Sequence, residues 1–62
     1  MWHYQLMDHG DYVAVHEYYN MEDGNTFTVE PITLEAEDKE GMLEQLAMIL
    51  LDVHKYGVVP YE

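Results

Sequence analysis

The chain has 62 residues, of which 13 are acidic and 2 are lysine, with no arginine, for a formal net charge of −11. A balance this acidic excludes direct binding to nucleic-acid phosphates and to anionic membrane surfaces, both of which need cations. The length allows one domain, residues 1–62, with a thin core; the absence of Cys removes disulfides and cysteine-type zinc as staples, and 48% hydrophobic residues is too many for a disordered acidic tail.

Residues 2–7 alternate, with Trp2, Tyr4 and Leu6 on one face, which is a strand pattern. Asp8-His9-Gly10-Asp11 is a cluster of turn formers. Residues 12–20 are rich in β-branched and aromatic side chains and form a second strand. One of its faces carries Val13, Val15, Glu17 and Tyr19, the other Tyr12, Ala14, His16 and Tyr18, so both are partly apolar. Asp23-Gly24 centres a second turn, and residues 26–30 give a third short strand that Pro31 ends or marks as an edge. Residues 32–37 lead to a helix over residues 39–56. Asp38 is its N-cap, Glu40 favours the positive end of the helix dipole, Lys55 lies in the last turn and Gly57 takes the C′ position. Gly41 weakens the first turn by about 1 kcal/mol relative to Ala. The tail, residues 58–61, is apolar and either packs back or pairs with a partner.

The expected architecture is therefore α+β, a three-stranded antiparallel sheet (β-β-β) packed against one C-terminal α-helix. Leu43, Leu46, Leu50 and Val53, with Ala47 beside them, form a stripe expected to cover the sheet. Met42, Met48, Ile49 and Leu51 widen the apolar surface beyond one face. Three strands cannot cover both sides of such a helix, so these four residues are the expected contact of a homodimer.

Two groups of polar residues are candidates for a site. Glu35, Glu37, Asp38, Glu40 and Glu44 concentrate negative charge around the helix start, with few cations to balance it, and form an expected docking surface for a basic protein. His3, His9 and His16 are the candidates for a metal- or ligand-binding site, although no HExxH or comparable spacing occurs. The turn residues Asp8, Asp11, Glu22 and Asp23 lack the spacing of a calcium loop. With no Ser or Cys for nucleophilic chemistry and little room for a cleft, no catalytic residue and no cofactor is assigned, and the chain is read as non-enzymatic. No N-terminal signal pattern or membrane-length apolar run is present, which places the expected protein in the cytoplasm, without a membrane partner.

Ala14-Val15-His16-Glu17-Tyr18-Tyr19, then Asp23-Gly24, then Thr26-Phe27-Thr28 and Pro31, together with Trp2 near the N-terminus, resemble a family of small uncharacterised proteins of bacteria and their phages. The resemblance covers most of the chain and implies a β-β-β-α unit, with no functional residue to carry over. The family pattern is less extreme in its lack of basic residues. A looser similarity, echoed at Glu37-Asp38-Lys39-Glu40, is to the antitoxin-like fold of the HicB type, which implies a cognate toxin as partner. The leading functional expectation is an acidic protein-binding module, in phage-type form a modulator of a basic host protein in the host cytoplasm. The alternatives are the histidine-based module and the HicB-like antitoxin partner.

Overall fold

The computed structural model describes residues 1–61. Strands β1 (Trp2–Asp8), β2 (Val13–Met21) and β3 (Gly24–Phe27) precede helix α1 (Lys39–Tyr56), and a last strand β4 (Val58–Pro60) follows it. The fold is α+β, as expected, but the sheet has four strands in the order β3-β2-β1-β4 and is mixed. β1 pairs antiparallel with β2, β2 antiparallel with β3, and β1 parallel with β4.

The expected three-stranded antiparallel sheet is thus corrected by one strand. Gly57, at φ 68°, ends the helix, and its N–H bonds to the Val53 carbonyl. The chain then runs beside β1, with Val58 opposite Leu6 and Pro60 opposite Asp8. Pro60 has no N–H for a further neighbour, which suits an edge strand. Tyr61 N–H still bonds to the Asp8 carbonyl at 2.9 Å. β1 therefore lies between two strands, and its residues His3, Tyr4, Gln5 and Met7 are buried.

The β1–β2 register divides the sheet into two faces, because opposed residues point the same way. His3 stands opposite Tyr18, Gln5 opposite His16 and Met7 opposite Ala14; the other face pairs Tyr4 with Glu17 and Leu6 with Val15. The helix meets the second face through Leu46 and Ile49, which line one cleft with Val15 and Ile32. Its C-terminal half reaches β1. There Asp52 Oδ2 accepts the Tyr4 N–H at 2.9 Å, beyond the reach of the short β4.

β3 is shorter than the strand expected over residues 26–30. Thr28 N–H keeps its ladder bond to the Glu17 carbonyl at 3.0 Å. The Thr28 carbonyl, however, accepts from His16 Nδ1 at 2.7 Å. Glu17 N–H donates instead to the Thr28 hydroxyl oxygen at 3.2 Å. The regular ladder stops at Phe27 because Thr28 spends its carbonyl on a side chain. Pairing resumes once, through Ile32 N–H and the Val15 carbonyl at 2.9 Å.

The helix limits agree with the sequence reading, and its rotation agrees in part, since Leu46 and Val53 of the expected stripe lie on the inner side. No helical residue is buried. The half-buried residues Met42, Gln45, Ile49, Asp52 and Val53 recur at helical spacing and mark the inner side. Met42 and Ile49, expected on a dimer contact, belong to that side. Of the stripe expected to cover the sheet, Leu43 and Leu50 face solvent, with Leu50 71% exposed. Polar Asp52 holds an inward position because the Tyr4 N–H at the β1 edge lies opposite it and donates to its carboxylate.

Asp38 caps the helix through its side chain, which accepts Gly41 N–H at 2.8 Å. A Cβ at Gly41 would stand 3.3 Å from that carboxylate oxygen, so the propensity gain of Gly41→Ala is offset by crowding at the cap. Asp38→Ala is expected to cost about 1 kcal/mol of stability, measured by urea denaturation.

Candidate functional site

Three of the four histidines lie on or against one face of the sheet, under a layer of aromatic rings. His16 is fully buried in the middle of β2. A carbonyl can only accept, so the bond to Thr28 fixes a proton on His16 Nδ1. In the neutral ring Nε2 is then unprotonated. His9, in the turn after β1, brings its own Nε2 to 2.8 Å from that atom. The neutral pair is joined by a proton on His9 Nε2. The His9 ring stacks on Tyr12 with centroids 4.7 Å apart and on Tyr61 at 4.2 Å. Phe27 meets His16 edge-on at 6.1 Å.

His3 shares the sheet face of His16 but does not join the pair. Gln5 explains its state. The Gln5 amide nitrogen donates to the carbonyls of Leu6 and Gly57 at 3.0 and 2.7 Å, which orients the amide. Gln5 Oε1 must then accept, and His3 Nε2 donates to it at 3.0 Å. His3 Nδ1 accepts from the Asn20 amide at 3.3 Å. Tyr56 stacks on the same ring at 3.6 Å. Both nitrogens of His3 are occupied by its own neighbours. Of the trio His3, His9 and His16, the structure brings together His9 and His16 alone. Among the described residues, no three His, Asp or Glu side chains stand where they could hold one metal ion together.

The acidic candidates lie elsewhere. Glu35, Glu37, Asp38, Glu40 and Glu44 are all exposed. Glu35 and Glu37 line an open hollow of about 650 Å³ with Leu34, Ala36 and Met42. A cleft of about 230 Å³ adjoins it, lined by Val15, Pro31, Ile32, Leu34, Leu46 and Ile49. Leu34 belongs to both, so the two form one trough between the connector and α1, with an apolar floor and carboxylates at one end. Neither lysine lines it. Lys55 instead sits over the Tyr56 ring at 5.2 Å.

Of the four residues expected at a dimer contact, Met48 and Leu51 are exposed, Leu51 by 68%, whereas Met42 and Ile49 line the trough. Sequence reasoning missed the trough because its walls come from three separate segments, β2, the connector and α1. It also missed Thr28, whose role depends on which way a carbonyl turns.

One hydroxyl is perturbed. Tyr19 donates to Glu17 Oε1 at 2.6 Å, and this bond holds its ionisation above the ordinary tyrosine range, with partial desolvation and the Glu17 charge acting in the same direction. The stabilisation is present below the ordinary tyrosine value and is lost as pH rises through the raised one. Tyr19 lies on the opposite sheet face from His16 and has no part in the histidine pair.

Among the described residues no helix is long and apolar enough to cross a membrane. Comparison with protein-family profiles, with characterised proteins and with solved structures finds no match.

Proposed function

We propose that the chain is a non-enzymatic, acidic protein-binding module whose partner presents a basic, amphipathic surface. The observation that supports this reading is the trough: an apolar floor at Leu34, Leu46 and Ile49, carboxylates at Glu35 and Glu37, and no cation in its lining. Leu34 is 47% exposed and Leu46 43%, so a partner's apolar side chains would remove surface from water there. A net charge of −11 would steer a basic partner toward it and repel acidic ones. A phage-type modulator of a basic host protein fits this description.

The test uses an amphipathic peptide of alternating Lys and Leu turns as the probe, with binding read by fluorescence anisotropy at low and high salt. Replacing Glu35, Glu37 and Glu44 together by Lys avoids the Asp38 cap. The variant is expected to bind roughly ten- to a hundredfold more weakly, from about 0.2–1 kcal/mol per exposed pair plus the added repulsion. Binding of the natural chain should fall with salt. Equal affinity of the two proteins, unchanged across salt, refutes the proposal.

Self-association through Met48 and Leu51 is a companion proposal with the opposite salt response. Two copies bring together two charges of −11, so a dimer would strengthen as salt screens them. Sedimentation at low and high salt reads the difference.

A further inference from the structure

We propose that His9 and His16 form a two-imidazole seat for a divalent transition-metal ion, of which zinc is the natural probe. The two Nε2 atoms already converge, 2.8 Å apart, on the position a single proton now holds. The second observation is independent of that distance. His16 donates its other ring N–H to the Thr28 carbonyl, the arrangement by which metal-binding imidazoles are oriented and kept in one tautomer. The sheet gives up a regular ladder bond to supply that carbonyl, and Glu17 N–H turns to the Thr28 hydroxyl in exchange.

The mouth of the seat has the remaining requirements. His9 borders a cavity of about 220 Å³ with Asp8, Gly10, Pro60 and Tyr61. The Asp8 carboxylate is held there by accepting Gly10 N–H at 2.8 Å through one oxygen, Oδ1. Tetrahedral zinc with nitrogen ligands at about 2.0–2.1 Å needs the two Nε2 atoms about 3.3 Å apart. The rings must therefore separate by about half an ångström, and His9 can supply this because it sits in a turn rather than a strand. On binding, the proton leaves His9 Nε2 for its own Nδ1, so both rings stay neutral and both Nε2 lone pairs face the ion. Water completes the coordination, with Asp8 accepting from it. The large negative net charge raises the local concentration of cations. His3 is excluded, since Gln5 and Asn20 occupy its nitrogens.

The experiment follows the ring nitrogens of all four histidines by long-range ¹H–¹⁵N NMR while zinc is added at neutral pH. The expected result is a joint shift of the Nε2 signals of His9 and His16, complete at one equivalent, with His3 unmoved and no response to magnesium. In His9→Phe, which keeps a ring between Tyr12 and Tyr61, the His16 response should disappear. The proposal is overturned if zinc leaves His16 unmoved, if magnesium produces the same shift, or if the folded phenylalanine variant responds at His16 with an unchanged midpoint. If that variant does not fold, the zinc and magnesium titrations of the natural chain decide alone.

Discussion

Replacing His16 by alanine is expected to leave most of the population unfolded in dilute buffer. The ring is fully buried at the centre of β2. Its removal opens a cavity, a change that costs about 2–5 kcal/mol for large core side chains. It also leaves the Thr28 carbonyl and His9 Nε2 without the partners they have at 2.7 and 2.8 Å. An unsatisfied buried polar group adds about 1–3 kcal/mol. A combined loss of about 3–8 kcal/mol reaches or exceeds the whole stability of a domain this small. Far-ultraviolet circular dichroism and urea titration measure it. His16→Phe separates the two contributions, since it keeps the volume and the ring contacts with His9 and Tyr61 but no hydrogen bond. It should cost about 1–3 kcal/mol and stay folded. Equal losses in the two variants would show that bonding, not volume, is what His16 supplies.

Met7→Ala is expected to cost about 2–4 kcal/mol and to lower the melting temperature by roughly 10–25 °C. Met7 is 1% exposed, and among the described residues it and Tyr4 are the buried apolar side chains. So short a core cannot spread the loss over many neighbours. Met7→Leu conserves volume and should cost less than about 1.5 kcal/mol. Thermal unfolding followed by circular dichroism distinguishes them. A small effect of the alanine variant would mean that the sheet closes over the gap.

The sequence was legible where a residue type has one local job. Asp38 and Gly57 are chemically suited to the two ends of a helix, and α1 runs between them as expected. Alternation in residues 2–7 placed Trp2, Tyr4 and Leu6 together, and β1 follows it. What was not legible depended on distant partners. Val58-Val59-Pro60 is too short to read as a strand, and the parallel edge of β1 makes it one. The helix carries aliphatic residues nearly all round, so its inner side was decided by the β1 edge and the connector, not by its own pattern. Grouping His3, His9 and His16 followed residue type. The side-chain amides of Gln5 and Asn20, which hold His3 apart, carry no such signal in isolation. The acidic run could be read as exposed, but the apolar trough beside it required the fold.

The scarcity of cations has a practical consequence for watching this molecule move. Trypsin cuts after lysine and arginine, and this chain offers it two places, Lys39 and Lys55. Lys39 is the first residue of α1, and Lys55 is the last but one. A protease must draw its substrate out into an extended strand, so neither bond is cleaved until an end of the helix unwinds. Cutting at both sites releases residues 40–55 as one peptide. The tryptic digestion rate therefore clocks the opening of α1 separately from that of the sheet, and a trough ligand free of lysine and arginine should slow the clock while leaving the enzyme untouched.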